Sequence, residues 1–134
     1  NSSAASDVYK RQPLIHEMAR QSGAKKYFIA RKGSKVYMPD PIHVSVRSIT
    51  TLRTQDLFLG RDDCELIRGK RILIVDDVIS TGESLHALEE LVHTAGGVVT
   101  GKAAVLAEGD SLDRPDITCL APLPLFNADG TVKA

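Results

Sequence analysis

The sequence predicts an α/β fold: an open, mostly parallel sheet flanked by helices. Three observations point there. Ile72-Leu73-Ile74-Val75 is an unbroken aliphatic run of the kind found in a strand covered on both faces. A short polar turn separates it from a helical stripe, Leu85, Leu88, Leu91, Val92 and Ala95, which Gly96-Gly97 closes. Another apolar strand, Val98 to Ala107, follows at once, and strand, helix and strand in such close succession require parallel pairing with a right-handed crossover.

The remaining elements fit the same plan. Leu14, Ile15, Met18 and Ala19 recur at helical spacing between Leu14 and Gln21, with Gly23 as the stop signal. Tyr27 to Ala30 is a short buried strand that runs into the charged loop Arg31-Lys32-Gly33. From Pro39 to Asp63, partial alternation at Ile42, Val44, Val46 and Ile49, and a return to apolar character at Leu57-Phe58-Leu59, suggest a half-exposed hairpin with a mobile polar tip. Glu108 to Pro115 reads as a polar loop, Ile117 to Pro122 as a final strand, and Leu123 to Phe126 as a tail over the surface.

At 134 residues the chain has the size of one domain. Seventeen basic residues balance seventeen acidic ones, so no global field draws it to nucleic acid or to a membrane, and an anionic ligand must be held locally. No apolar stretch approaches the roughly 20 residues of a spanning helix. Cys64 and Cys119 lie far apart and match no metal-ligand spacing, which suits a reduced, cytoplasmic setting. The scattered His16, His43, His86 and His93 read as surface or structural residues. Asn1 to Ser6 is small and polar, and Asp7 to Gln12 leads abruptly into Pro13 without the pattern of a secretory signal. That hexapeptide resembles the translation of a transposon-end adapter used to fragment sequencing libraries. Residues 1–12 are therefore expected to be a non-native or disordered tail, and 13–134 the domain.

The chemistry concentrates after Val75. In an open α/β sheet, ligands bind at the carboxyl ends of the strands. Backbone N–H groups from Ser80, Thr81, Gly82, Glu83 and Ser84 would converge at the positive end of the following helix, with the hydroxyls of Ser80, Thr81 and Ser84 as further donors. Gly82 permits close backbone approach. Asp76 and Asp77 are acceptors suited to a diol, and phosphate with vicinal hydroxyls describes a ribose 5-phosphate. A solvated turn with a serine helix cap would need no pair of carboxylates at the end of a buried strand.

Ile72-Leu73-Ile74-Val75-Asp76-Asp77-Val78-Ile79-Ser80-Thr81-Gly82 resembles the signature of type I phosphoribosyltransferases. These enzymes bind phosphoribosyl pyrophosphate and join its ribose to a nucleobase with loss of pyrophosphate. The resemblance implies that Asp76 and Asp77 hold the ribose hydroxyls, directly or through magnesium-bound water, and that Ser80 to Ser84 hold the 5-phosphate. Some relatives carry an aspartate at the position of Ser80, proposed to assist at the purine ring; serine removes that role, so positioning outweighs general base catalysis and no residue is assigned as catalytic. Ala30-Arg31-Lys32-Gly33-Ser34-Lys35 resembles the basic strand end of the adenine and xanthine phosphoribosyltransferases, which implies pyrophosphate contacts for Arg31, Lys32 and Lys35. Thr50 to Gln55 would fall in the family's mobile loop, and Ile79, Leu125 and Phe126 are candidates to pack on the base.

Family members also have an inner strand and a pyrophosphate-gripping loop before the first helix, and residues 1–12 match neither. The sheet is therefore expected to lack its first central strand, with an N-terminally truncated chain of low stability or activity. The implied function is purine phosphoribosyl transfer in nucleotide salvage, of the adenine or xanthine type. Mg2+ is the cofactor, phosphoribosyl pyrophosphate and a purine the partners, and a homodimer the assembly. A phosphoribosyl-pyrophosphate-sensing regulatory domain, as in purine repressors, is the alternative; no recognition helix or basic patch for DNA occurs in the chain.

Overall fold

The computed structural model describes residues 2–7, 12–38, 40–47 and 54–133. Five strands form one parallel sheet: β1 (Ser2–Asp7), β2 (Tyr27–Ala30), β5 (Arg71–Ile79), β6 (Val98–Glu108) and β7 (Ile117–Leu123), in the spatial order β2-β1-β5-β6-β7. The other two strands, β3 (Ile42–Arg47) and β4 (Thr54–Leu59), pair antiparallel as a separate hairpin. Among the described residues there are three α-helices, α1 (Gln12–Ser22), α2 (Arg61–Ile67) and α3 (Glu83–Thr94), and a 3-10 turn at Gly109–Asp113.

Alternation along β5 divides the core. Ile72 and Ile74 enter the larger cluster, with Leu85, Leu88, Leu91 and Val92 of α3 and Leu57 and Leu59 of β4. Leu73 and Val75 face the other way, onto Ile15, Leu14 and Met18 of α1. Successive side chains of a strand point to opposite faces, so a continuous aliphatic run is what a strand between two helices needs. The hairpin is the third layer, with Val44 and Val46 packed on the main core and His43, Ser45 and Arg47 exposed.

The structure departs from expectation in four places. β5 continues through Asp76 to Ile79 rather than ending at Val75, because parallel pairing with β6 runs on to Ile79↔Ala107. Helix α2 was not expected; it is seven residues long and buries only Cys64 and Ile67, too short a pattern to show periodicity. Thr54 and Gln55 belong to β4 rather than to a loop, and residues 48–53 lie outside the described residues. Finally, the inner position expected to be vacant is filled: Ser2–Asp7 pairs with β2 on one side and β5 on the other. Strand pairing uses backbone groups that every residue but proline carries, so Ser-Ser-Ala-Ala-Ser-Asp takes the place despite its weak strand preference. Ser2–Asp7 thus pairs within the sheet, while residues 8–11 lie outside the described residues.

Candidate functional site

The site is built on the last turn of β5 and the start of α3. Asp76 Oδ1 accepts the Asp77 N–H at 2.7 Å, and Asp77 Oδ1 accepts the Val78 N–H at 2.7 Å, so the backbone orients both carboxylates. Asp76 is 1 % exposed, and a carboxylate so buried needs donors, of which the Asp77 N–H is one. Asp77 is exposed. Alternation sends Asp76 to the α3 face, after Ile72 and Ile74, and Asp77 to the opposite face, after Leu73 and Val75.

Ser80, Thr81 and Gly82 then reverse the chain. Gly82 is the N-cap of α3 at φ 85 and ψ 2, the left-handed region in which a side chain is strained. No side chain caps the helix there; the Glu83 N–H reaches Thr81 Oγ1 at 3.4 Å. The first-turn N–H groups, which a helix cannot use internally, therefore face outward at its positive end. They border a cavity of 90 Å³ lined by Asp76, Val78, Ser80, Gly82, Ser84 and Leu85. That is the space of about three water molecules, the scale of a tetrahedral oxyanion rather than of a purine ring.

Other expected site residues fall in different places. The Ser84 hydroxyl lines the cavity and donates to Gln55 Oε1 at 3.1 Å, which ties α3 to the hairpin, while Ser80 and Thr81 are exposed. Arg31 follows β2, where its backbone pairs with Phe58 of β4 and its guanidinium lies 5.8 Å from the centre of the Tyr37 ring. It lines a separate cleft of 270 Å³ with Lys26, Tyr37, Met38 and Arg61. Ala30 is level with Asp7, which lies two residues beyond the Ala5↔Ile74 pair, so Arg31 sits at the same edge of the sheet as Asp76 but two strands, about 10 Å, away. Lys32 and Lys35 are exposed in the loop beyond it.

Of the three base candidates, Ile79 is 2 % exposed and packs in the main core, yet it also lines the smaller cavity, together with half-buried Val78 and Leu85. Leu125 lines a larger cavity of 490 Å³ with Ser80, Thr81, Glu108, Asp110 and Arg114. Phe126 is 54 % exposed and bridges to Val132 in a tight turn, so the tail folds back rather than running on. The sequence did not single out Val78, Gln55 or Arg114. Val78 was detectable, since it directly follows the two aspartates; the other two act through tertiary contacts that leave no local pattern. Among the described residues no group of three or more His, Cys, Asp or Glu side chains is placed to hold a metal ion.

Comparison with known proteins agrees with this geometry. A profile of the phosphoribosyl transferase domain matches residues 13–127. Adenine phosphoribosyltransferase from Corynebacterium jeikeium is 37 % identical over 99 residues, covering 74 % of this chain and 45 % of the relative. Xanthine phosphoribosyltransferase from Exiguobacterium is 30 % identical over 87 residues, covering 65 % of this chain and 44 % of the relative. The chain thus spans about half the length of the curated relatives it matches. The crystal structure of adenine phosphoribosyltransferase from Rhodothermus marinus superposes with a TM-score of 0.77 at 23 % identity, over 91 % of this chain and 69 % of that one, which establishes the shared fold. With the domain matched over all but the two ends, the chain belongs to the phosphoribosyltransferase family.

Proposed function

We propose that this chain carries the phosphoribosyl-pyrophosphate site of a purine phosphoribosyltransferase of the adenine or xanthine type, acting in nucleotide salvage as a cytoplasmic homodimer. The observation that carries the reading is one juxtaposition. Two backbone-oriented aspartates lie near the carboxyl end of a buried strand, and the left-handed Gly82 that follows turns the chain into an uncapped helix start.

In the reaction, a base nitrogen bonds to the anomeric carbon as the carbon–oxygen bond to pyrophosphate breaks, and the electron pair leaves with pyrophosphate. Negative charge grows on the leaving group and positive charge on the sugar. The turn and the α3 N-terminus hold the 5-phosphate, while Asp76 and Asp77 accept from the ribose hydroxyls and favour the developing cation. Arg31, Lys32 and Lys35, on the same sheet edge, suit the pyrophosphate. Ile79, Val78 and Leu125 would border the base. A magnesium ion arriving with the substrate would be met by Asp76 and Asp77 only indirectly, through water or ribose hydroxyls, and would neutralise phosphate charge. Similarity to named transferases favours the enzyme over the regulatory alternative.

Calorimetry with phosphoribosyl pyrophosphate and magnesium, and pyrophosphate release with adenine, guanine, hypoxanthine and xanthine, test the proposal. One-to-one binding with turnover of adenine or xanthine supports it. A folded chain that binds neither phosphoribosyl pyrophosphate nor ribose 5-phosphate refutes it.

A further inference from the structure

The phosphate turn is gripped from behind by the segment joining β6 to β7. Before the turn, the buried Ser111 hydroxyl lies 2.7 Å from the carbonyl of Ile79 and 2.6 Å from that of Glu108, and it accepts the Glu108 N–H at 3.2 Å. After the turn, Arg114 leans on Gly82: a Cβ at Gly82 would sit 2.6 Å from Arg114 Nη1. A side chain there would push the Arg114 guanidinium aside, in addition to the strain of the left-handed φ.

Arg114 is itself fixed. Its Nε and Nη2 donate to Asp116 Oδ1 and Oδ2 at 3.0 and 2.7 Å, a planar fork that a lysine cannot reproduce. Asp116 also accepts from Lys102 Nζ at 2.8 Å, and Lys102 pairs with Glu89 of α3 at 2.6 Å. The chain of contacts leaves α3 at Glu89, crosses β6 at Lys102 and returns to the first residue of α3's turn through Asp116 and Arg114. Two cations and two anions cancel, so its contribution to phosphate binding is geometric rather than a net field.

We propose that Arg114, held by Asp116, is a positioning residue that locks the Ser80–Gly82 turn in its anion-binding conformation. This rests on the phosphoribosyl-pyrophosphate reading for its consequence, but the bracing itself is measurable without ligand. In the lock's absence the turn opens locally, and the His86 N–H, held by the Gly82 carbonyl, exchanges faster than the amides further along α3.

Amide hydrogen exchange on Arg114→Ala, Arg114→Lys and Asp116→Asn, with Arg20→Ala on the distant α1 surface as control, tests the lock. Exchange at His86, whose N–H donates to the Gly82 carbonyl at 2.9 Å, should rise about twofold to fivefold in all three, as expected for loss of a partly exposed fork. Residues 88–92 should be unchanged, Arg20→Ala should match the parent, and affinity for ribose 5-phosphate should fall by a similar factor. Unchanged exchange in Arg114→Ala, or full rescue by Arg114→Lys, overturns the lock. Should Arg114→Ala lose its fold, the milder Asp116→Asn decides by the same criterion. A parent chain that binds no ribose 5-phosphate overturns the functional reading, while the exchange pattern still decides the lock.

Discussion

Replacing Gly82 with alanine strains one residue in two separable ways. At φ 85 an alanine pays for the left-handed conformation with roughly 1–2 kcal/mol. Its Cβ also meets Arg114 Nη1 at 2.6 Å, so the guanidinium must withdraw. Arg114 and Asp116 are 36 % and 40 % exposed, which limits the loss of their pair to about 0.2–1 kcal/mol. Gly82→Ala is therefore expected to destabilise the chain by about 1–3 kcal/mol. The chain has no tryptophan, so urea unfolding is best followed by circular dichroism at the helix band. In an Arg114→Ala background only the torsional part remains, and the added cost of Gly82→Ala should fall to roughly 1–2 kcal/mol. A Gly82→Ala variant within about 0.5 kcal/mol of the parent, the range of ordinary surface substitutions, would refute the left-handed turn and the contact together.

Two further outcomes follow from the same packing. Gly97→Ala places a Cβ 2.7 Å from Ile67 Cγ2 and 3.0 Å from Val92 Cγ1, in the buried seam between α2, α3 and β6, and should lower stability by about 1–3 kcal/mol in urea melts. Asp116 is held well below the usual carboxylate range by its hydrogen bonds to Arg114 and then Lys102. A depressed acid contributes stability that is complete above its unfolded pKa of about 3.9 and is lost as pH falls through the lower folded value. Urea midpoints of the parent should therefore drop more steeply between pH 4 and pH 2 than those of Asp116→Asn, and parallel curves would contradict the pairing.

What the sequence made legible was whatever repeats locally. The aliphatic run Ile72 to Val75 and the stripe from Leu85 to Val92 are periodic, and both gave their elements and the carboxyl edge where the site lies. Asp76 and Asp77 stood out in the sequence as candidates but were misplaced in a turn, because only pairing with β6 shows that the strand goes on. The basic loop at Arg31 was visible as charge, yet its distance from Asp76 depends on the strand inserted between β2 and β5. That strand, Ser2–Asp7, carries no apolar pattern, so its place is set by partners on both sides. Arg114 and Ser111 lie about thirty residues beyond the turn they contact and could not be assigned to it before folding brought them there.

Calorimetric titration of ribose 5-phosphate into the parent chain and into Asp76→Asn/Asp77→Asn tests the central claim most directly. The account predicts one-to-one binding by the parent and affinity at least about tenfold weaker in the double variant, since hydrogen bonds to charged acceptors contribute about 1.5–3 kcal/mol each. The circular dichroism spectrum should be unchanged. Equal affinity in the two proteins would contradict the assignment of Asp76 and Asp77 to the ribose.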